Sequence, residues 1–541
     1  MNNGLTKRFL IGLAVTSFAL AAAACDPVGA NNQASDRKTL PTVAPPSANS
    51  GKMRAPAPAH MIAAQEQEQY PDFRPNAENT VAQNPVTTIS LDVDTAAYSR
   101  ARRFLMDGQK PPAHALRIEE MVNYFDYAYP KPEAAAQPFL IDVEIAANPW
   151  SPDRRLLRVG IQAFEIPQAE RPPVNLVYLV DVSGSMRGAD RLGLVKLGLT
   201  AMTAKLGPRD HVSIVTYAGQ AGVALEPRNG ADKAAILSAI RGLGAGGGTA
   251  GAAGLDIAYD LATANFDKAA VNRIVLLTDG DFNIGPNDPT QLAEMIALKR
   301  KTGVYLSVFT VGKGNLNDRI AQTLAQKGNG NAGYLDGPLE AQRAMADDMN
   351  AAALPVADDV KAQIEFNPRR VAGYKLIGYE TRALANRDFA DDGVDAADVG
   401  SGQSVTLLYD IRIAEGSDDT PGLRYQDAVS PNDPARADEW GFVQLRYKQP
   451  GAADSTLFTR SITDQDVSTN LAATSQETRF AMAVAAFGLR LRDAGATSDF
   501  DFAAIGTLAR LALGADLDGR RAEFIRLTQT AATLETNAWT Q

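Results

Sequence analysis

The stretch NLVYLVDVSGSM, residues 175–186, decides the fold, because an apolar run ends abruptly in a carboxylate and two hydroxyls. Residues 176–180 are almost continuously apolar, which is typical of a strand buried on both faces of a parallel sheet. Asp181, Ser183 and Ser185 would then follow at the carboxyl end of that strand. In open α/β sheets this is the edge at which ligands bind.

Strands and helices alternate around this stretch, from residue 174 to about residue 350. Further apolar runs lie at 274–277 and 304–311, and residues 212–217 with 223–225 resemble a short hairpin. Helical patterns are expected at about 190–206, 231–242, 250–265, 289–302, 317–327 and 338–350. The alternation predicts a doubly wound α/β domain, which we bound at residues 172–352.

Two other segments bring polar oxygens to the same edge of the predicted sheet. Thr249 follows a run of glycines at 246–248, and Asp279 directly follows the strand at 274–277 and Thr278. Together with Asp181, Ser183 and Ser185 they offer two carboxylates and three hydroxyls, with no histidine or cysteine. Such hard oxygens suit Mg²⁺ or Mn²⁺. An octahedral ion held at five positions keeps one open, which an Asp or Glu carboxylate of a protein partner would suit.

The pattern Asp-x-Ser-x-Ser, then Thr, then Asp, resembles the metal-ion-dependent adhesion site of the von Willebrand factor A (VWA) domain. Asp181, Ser183, Ser185, Thr249 and Asp279 match its five positions. The resemblance implies that the serines and the threonine mostly ligate the ion directly, and that the aspartates act partly through water. It also implies a domain that binds protein partners.

Further segments resemble bacterial VWA lipoproteins of the YfbK type. These are residues 90–98, 117–127, 272–283, 327–333, 376–380 and 521–527. The resemblance covers nearly all of 86–535 and implies three parts: an N-terminal segment at 86–168, the VWA domain, and a C-terminal domain of unknown function at 356–535.

The first 25 residues predict export and a lipid anchor. Residues 1–24 have a basic start and a 16-residue apolar stretch, too short for a membrane span of roughly 20 residues. Cys25, the single cysteine, follows directly and resembles the acylated cysteine of bacterial lipoproteins. We therefore expect a lipid-anchored protein of the cell envelope, on the periplasmic side. The alternative is ordinary cleavage after the alanines, which would leave a free thiol.

Composition narrows the classes of function. The net charge of −10 argues against a nucleic-acid binder, which needs a basic surface. One cysteine and three histidines exclude a disulfide framework and a cysteine-based zinc site, and leave little room for histidine chemistry. Residues 25–85 are rich in proline and poor in aromatic side chains, which predicts a disordered tether.

The flanks of the α/β domain predict one β-sandwich into which that domain is inserted. Alternating residues precede it at 139–145 and 156–164, and resume after it at 360–366, 405–411 and 443–447. An isolated hairpin is marginal in water, so the early strands need the later ones. Helices are expected at the N-terminal side and after residue 474, with the metal crevice facing away from the sandwich.

Two caps are also predicted. Asp94 would cap the N-terminal helix, and Thr474 with Glu477 would form a capping box. The motif around Asp94, residues 92–95, also resembles the nucleophile motif of haloacid-dehalogenase-type phosphatases. Residues 86–91 before it are too polar for the buried strand that such a motif follows.

These patterns predict a membrane-tethered binding protein that captures a protein partner through a bound Mg²⁺, with no catalytic residues. Two alternatives stay open at this point. One is a metal-dependent hydrolase of the envelope, and the other is a scaffold whose metal only stabilises the fold.

Overall fold

The computed structural model describes residues 68–91, 94–248, 251–280, 289–314, 316–348, 354–414, 438–497 and 499–537. Cys25, the predicted signal peptide, the first part of the predicted tether and Thr249 lie outside these residues. Strands are numbered β1 to β17 in chain order.

A six-stranded sheet forms the centre of the α/β domain, in the order β10-β9-β8-β5-β6-β7. Its strands are β5 (Val174–Asp181), β6 (His211–Tyr217), β7 (Ala221–Asn229), β8 (Val271–Thr278), β9 (Val304–Val311) and β10 (Ala332–Leu335). All neighbours pair in parallel except β6 and β7, which form the predicted antiparallel hairpin. The chain therefore crosses over between strands, and helices fill the crossovers.

Six α-helices follow the predicted positions closely. They are Leu192–Lys205, Lys233–Gly242, Gly251–Ala264, Pro289–Arg300, Asp318–Lys327 and Pro338–Arg343, the last continued by a π-helical turn, Ala344–Asp348. Alternate residues of β5 enter two separate hydrophobic cores: Tyr178 and Val180 lie in one, Val177 and Leu179 in the other. Helices thus cover both faces of the sheet, which confirms the doubly wound prediction.

Two further sheets share one hydrophobic core and form the sandwich. One sheet has the order β1 (Asn79–Thr80), β12 (Val371–Ile377), β15 (Ser404–Ile413), β4 (Arg154–Ala163), β3 (Phe139–Ala147). The other has the order β13 (Ala383–Leu384), β2 (Val86–Ser90), β11 (Pro355–Phe366), β16 (Glu439–Lys448), β17 (Ser455–Thr463), with β14 (Ala397–Gly400) beside β11.

Pairing across the insertion confirms how the sandwich is assembled. β4, which precedes the α/β domain, runs antiparallel to β15, which follows it, with Leu157 opposite Tyr409. β2 likewise pairs with β11. Strands from both flanks therefore complete each sheet, and the α/β domain is an insertion in the sandwich.

The terminal helices form a hydrophobic core of their own. The N-terminal helices Ala96–Met106 and Ile118–Val122 pack with Gln476–Arg492, Phe502–Leu511 and Arg520–Thr536. Aromatic edge-to-face contacts link the two ends of the chain, with ring centroids 5.0 Å apart for Phe125 and Phe480. Among the residues described, no helix is both long and apolar enough to cross a bilayer.

The amino ends of the α/β strands face the sandwich. Arg300 pairs with Asp395 at 2.8 Å, and the Asn329 amide donates to Asp398 Oδ2 at 2.9 Å. The carboxyl ends, where the predicted ligands lie, are at the opposite edge of the sheet.

Three predictions in the flanking parts are wrong in detail. Residues 68–85, predicted as tether, pack on the folded body, and β1 pairs with β12.

Asp94 does not cap its helix: its Oδ1 accepts from the Ala332 amide at 2.9 Å and its Oδ2 from Arg382 at 2.7 Å. An arginine and a buried amide stabilise a carboxylate more than a cap does. Glu120 accepts from the first-turn amide of Ala97 instead, at 2.8 Å.

The third concerns the first helix of the C-terminal group. Its N-cap is Ser475, whose hydroxyl accepts from the Thr478 amide at 3.2 Å. Thr474, one residue earlier, donates its hydroxyl to the Asn470 carbonyl at 3.1 Å.

Candidate metal centre

Two neighbouring strands bring together four of the five predicted ligands. Asp181 is the last residue of β5, and Ser183 and Ser185 lie in the turn that follows. Asp279 comes directly after β8, which pairs in parallel with β5. Because the carboxyl ends of paired parallel strands lie side by side, both carboxylates reach one edge. Thr249, the fifth, is outside the described residues.

Neutral donors orient the Asp181 carboxylate. Its Oδ1 accepts from the Ser183 amide at 2.8 Å, and its Oδ2 accepts from the Thr278 hydroxyl at 3.2 Å. The hydroxyl oxygens of Ser183 and Ser185 lie 2.9 Å apart in hydrogen-bonding contact. The side chain is therefore held in one orientation relative to the two hydroxyls.

Burial makes the ionised forms of the Asp181 and Asp279 carboxylates costly. Asp181 and Asp279 are both 0% exposed. Burial raises the pKa of Asp181 above its ordinary value, and the nearby Asp279 carboxylate raises it too, while the Ser183 amide and Thr278 hydroxyl oppose the shift. A bound cation would stabilise the ionised form of both carboxylates.

The glycine-rich loop is held against the serine turn by its backbone. The Gly184 amide donates to the Gly247 carbonyl at 3.0 Å, and the Gly246 amide donates to the Val182 carbonyl at 2.8 Å. Gly247 has a φ of +88° and packs on the backbone of Gly219, a conformation and a closeness that favour glycine. Gly246 and Gly247 are thus anchored beside the turn that contains Ser183 and Ser185.

Sequence reasoning missed two residues of this edge. The Arg191 guanidinium donates through Nη1 to Asp279 Oδ2 at 3.3 Å and to the Ser185 carbonyl, and through Nη2 to the Lys313 carbonyl at 3.0 Å. The Tyr217 hydroxyl is buried beside Asp181. An arginine at a helix start and a tyrosine at a strand end carry no motif, so no sequence signal distinguishes them.

The chemistry and spacing of the described residues fit a small hard cation. Adjacent ligands of an octahedral Mg²⁺ with bonds of about 2.1 Å lie about 3.0 Å apart. The observed separation of 2.9 Å between the serine hydroxyl oxygens matches that edge. Within the described ranges, no group of three or more His, Cys, Asp or Glu side chains could hold an ion. A centre here therefore depends on hydroxyls as well as carboxylates.

Three family models match the chain. Residues 176–281 match the von Willebrand factor type A domain, and residues 64–158 match a second model described as von Willebrand factor. Residues 351–534 match the C-terminal region of uncharacterized protein YfbK. The match at 64–158 begins well before residue 86, in agreement with the ordered packing of residues 68–85.

The chain is also similar in sequence to known proteins. The chain is 40% identical over 486 residues to uncharacterized protein YfbK of Escherichia coli K12, covering 88% of this chain and 83% of that protein. It is 32% identical over 189 residues to uncharacterized protein sll0103 of Synechocystis, covering 35% and 44%.

Among solved structures, the von Willebrand factor type A protein from Catenulispora acidiphila has a TM-score of 0.41 at 17% identity, covering 74% of this chain and 91% of that one. The fold assignment rests on the strand order of this chain and on the family matches. The chain belongs to the YfbK family, with a von Willebrand factor type A domain at its centre.

Proposed function

We propose that the protein captures a protein partner through a divalent cation, Mg²⁺ or Mn²⁺, held by Asp181, Ser183, Ser185 and Asp279, with Thr249 as the fifth ligand. The observation that carries this proposal is the pair of serine hydroxyls 2.9 Å apart beside two buried carboxylates. Both hydroxyls follow a strand that pairs on either side, so they are rigidly positioned.

Charge favours an acidic partner. The two carboxylates balance a divalent ion, and Arg191 adds one positive charge 3.3 Å from Asp279. The loaded site would therefore carry a net positive charge at an edge with an open coordination position. An Asp or Glu carboxylate of a partner satisfies both the charge and the preference of Mg²⁺ for oxygen.

Binding is better supported than hydrolysis by the described side chains. His211 begins β6 at the opposite edge of the sheet, and His114 is 54% exposed in the N-terminal segment, beside Asp72. Neither is positioned beside Asp181 or Asp279 as a general base. Hydrolysis of phosphate esters by the purified protein would favour the hydrolase alternative instead.

The metal prediction is tested by Asp181→Ala. Removing this carboxylate deletes a charge that the ion needs and the group that the Ser183 amide orients, so Mn²⁺ affinity should fall at least about 10-fold. The fold should survive, because a costly buried charge is removed. Titration calorimetry with Mn²⁺ and a circular dichroism spectrum measure the two effects.

Asp190→Ala is the matched control, since this exposed acid lies nine residues further along the same loop region. It should leave the affinity unchanged. Equal affinities in wild type and Asp181→Ala would contradict the site assignment. Cross-linking from the native envelope with Mg²⁺ or EDTA separates capture from a purely structural metal, because only capture depends on the ion at constant fold.

We also propose that a lipid on Cys25 tethers the protein to the membrane of the cell envelope. Cys25→Ser would remove the thiol that is acylated, so the protein should move from the membrane fraction to the soluble fraction. Cell fractionation measures the shift, and mass spectrometry of the mature N-terminus identifies the lipid. Membrane retention of the variant, with no lipid on the wild-type N-terminus, would contradict the anchor.

A further inference from the structure

Residues 68–70, which we call the N-terminal clasp, lie directly on the α/β domain. The Gln69 amide donates to the Leu316 carbonyl at 2.9 Å, and the Gln69 carbonyl accepts from the Asp318 amide at 3.0 Å. Tyr70 packs against the buried Leu316. The clasp is therefore joined by its backbone to the segment that follows β9.

A buried ion pair fixes the clasp in place. The Glu68 side chain is 2% exposed and accepts two hydrogen bonds from the Arg103 guanidinium, at 2.9 and 2.8 Å. Its Oε1 also accepts from the Gly314 amide at 3.0 Å. A bidentate arginine–carboxylate pair is geometrically specific, and losing one buried partner leaves an uncompensated charge. Glu68 thus holds Gly314, while Gln69 holds Leu316 and Asp318. We call residues 312–314 and 316–317 the 312–317 loop.

The same loop sets the position of Arg191. The Lys313 carbonyl accepts a hydrogen bond from Arg191 Nη2 at 3.0 Å. Gly312 passes so close that a Cβ there would lie 2.6 Å from Arg191 Nε. The Lys313 carbonyl that contacts Arg191 and the Gly314 amide that contacts Glu68 belong to the same planar peptide group. A displacement of the clasp would therefore move the Lys313 carbonyl that holds the Arg191 guanidinium.

Arg191 in turn faces the proposed cation ligands. Its Nη1 atom lies 3.3 Å from Asp279 Oδ2 and also donates to the Ser185 carbonyl. A positive charge at this distance repels a divalent ion and competes with it for Asp279. The guanidinium is 22% exposed, so it has space to leave the carboxylate when its support moves.

We propose that Arg191 competes with the cation for Asp279, and that the N-terminal clasp maintains this competition by holding the 312–317 loop. This inference rests on the proposed function, since it describes the regulation of the same site. Release of the clasp frees Asp279 and tightens cation binding. By reciprocity, a bound cation weakens the clasp by the same factor.

The first test measures Mn²⁺ affinity by calorimetry in the full chain. Arg191→Gln should bind Mn²⁺ about 3- to 10-fold more tightly than wild type, because a repelling charge is removed. Arg187→Gln is the matched control, an exposed arginine four residues earlier with the same change of charge. An equal gain in both variants, or no gain in Arg191→Gln, would overturn the competition.

The second test compares Glu68→Gln with Glu78→Gln. Glu78 lies in the same segment but pairs with Arg154 and Arg412, away from the loop. Glu68→Gln should tighten Mn²⁺ binding and speed amide hydrogen exchange in residues 312–314 and 184–192, and Glu78→Gln should change neither. Should Glu68→Gln fail to fold, Tyr70→Phe, which removes only the hydroxyl that donates to Glu68, should act in the same direction.

The outcomes separate this inference from the proposed function. If neither wild type nor Arg191→Gln binds Mn²⁺, the proposed function and the competition both fail, while hydrogen exchange still decides whether the clasp holds Arg191. If wild type binds Mn²⁺ and Glu68→Gln behaves like Glu78→Gln in both measurements, the clasp is wrong and the proposed function stands.

Discussion

Two groups of buried charges in this molecule differ in how their carboxylates are compensated. The interdomain cluster, formed by Arg100, Arg117, Glu120 and Asp318, joins the N-terminal helices to the α/β domain. Asp318 receives Arg100 on one oxygen and Arg117 on the other, the latter at 3.0 Å, and Arg117 also pairs with Glu120. Two guanidinium groups thus face two carboxylates.

The site pair, Asp181 and Asp279, is built differently. Asp181 is held by an amide and a hydroxyl, and Arg191 approaches Asp279 at 3.3 Å. Burial alone would raise the pKa of Glu120, but Arg117 and Arg100 outweigh it and lower that pKa, whereas the pKa of Asp181 stays raised. In the interdomain cluster the arginines offset the cost of burying the Glu120 carboxylate, whereas the amide and the hydroxyl that contact Asp181 do not offset its burial.

Asp318→Ala should give the largest effect, because it leaves two arginines buried without their shared partner. We expect the free energy of unfolding to fall by about 3–5 kcal/mol. Urea denaturation measures it. Glu165→Ala, which breaks an exposed pair with Lys131, should cost less than about 1 kcal/mol. Similar losses in the two variants would remove the contrast between the cluster and an ordinary surface pair.

Glu119→Gln sharpens the comparison inside the interdomain region. Burial, together with Glu380 and Glu120, raises the pKa of Glu119 to about 7. The folded protein therefore binds more protons than the unfolded chain between about pH 4.5 and pH 7, and the free energy of unfolding should fall as the pH rises through this window. At about 1.4 kcal/mol per pH unit, the fall in the free energy of unfolding over this window is at most about 3.5 kcal/mol.

The substitution keeps the shape of the protonated acid and removes its titration. The fall in stability between these pH values should therefore be smaller in Glu119→Gln than in wild type, as measured by urea denaturation across the range. Glu133→Gln, at an exposed position, should keep the wild-type profile. Parallel profiles for wild type and Glu119→Gln would show that this carboxyl is ionised throughout.

Gly312→Ala should give the smallest effect and tests the support of the site pair. Gly312 and Gly108 have φ values of +79° and +74°, so each alanine should cost about 1 kcal/mol of backbone strain. A Cβ at Gly108 meets nothing within 4 Å, whereas at Gly312 it meets Arg191. The free energy of unfolding, measured by urea denaturation, should therefore fall by about 1 kcal/mol more in Gly312→Ala than in Gly108→Ala. Equal losses would show that the Arg191 side chain moves without cost.

Much of the fold could be predicted because it is encoded in local periodicity. The apolar run at 176–180 is long enough to indicate a buried strand, and the alternating residues at 156–164 and 405–411 indicate strands with one buried face. The match of those faces predicted that strands from both flanks build one sandwich, and the structure adds that β4 pairs with β15 across the inserted α/β domain. The ends of β5 and β8 likewise predicted which carboxylates would meet.

The sequence by itself determined the doubly wound domain, its insertion in a sandwich and the meeting of Asp181 with Asp279, because these follow from patterns within each element and the rules that join elements. Only the tertiary structure decided the partners of Asp94, Arg191 and Glu68. Arg191 and the carbonyl it contacts are 122 residues apart, and Glu68 and the amide it accepts are 246 apart. A charged side chain pairs with the buried group that the folded chain places beside it, and no local sequence pattern predicts which group that is.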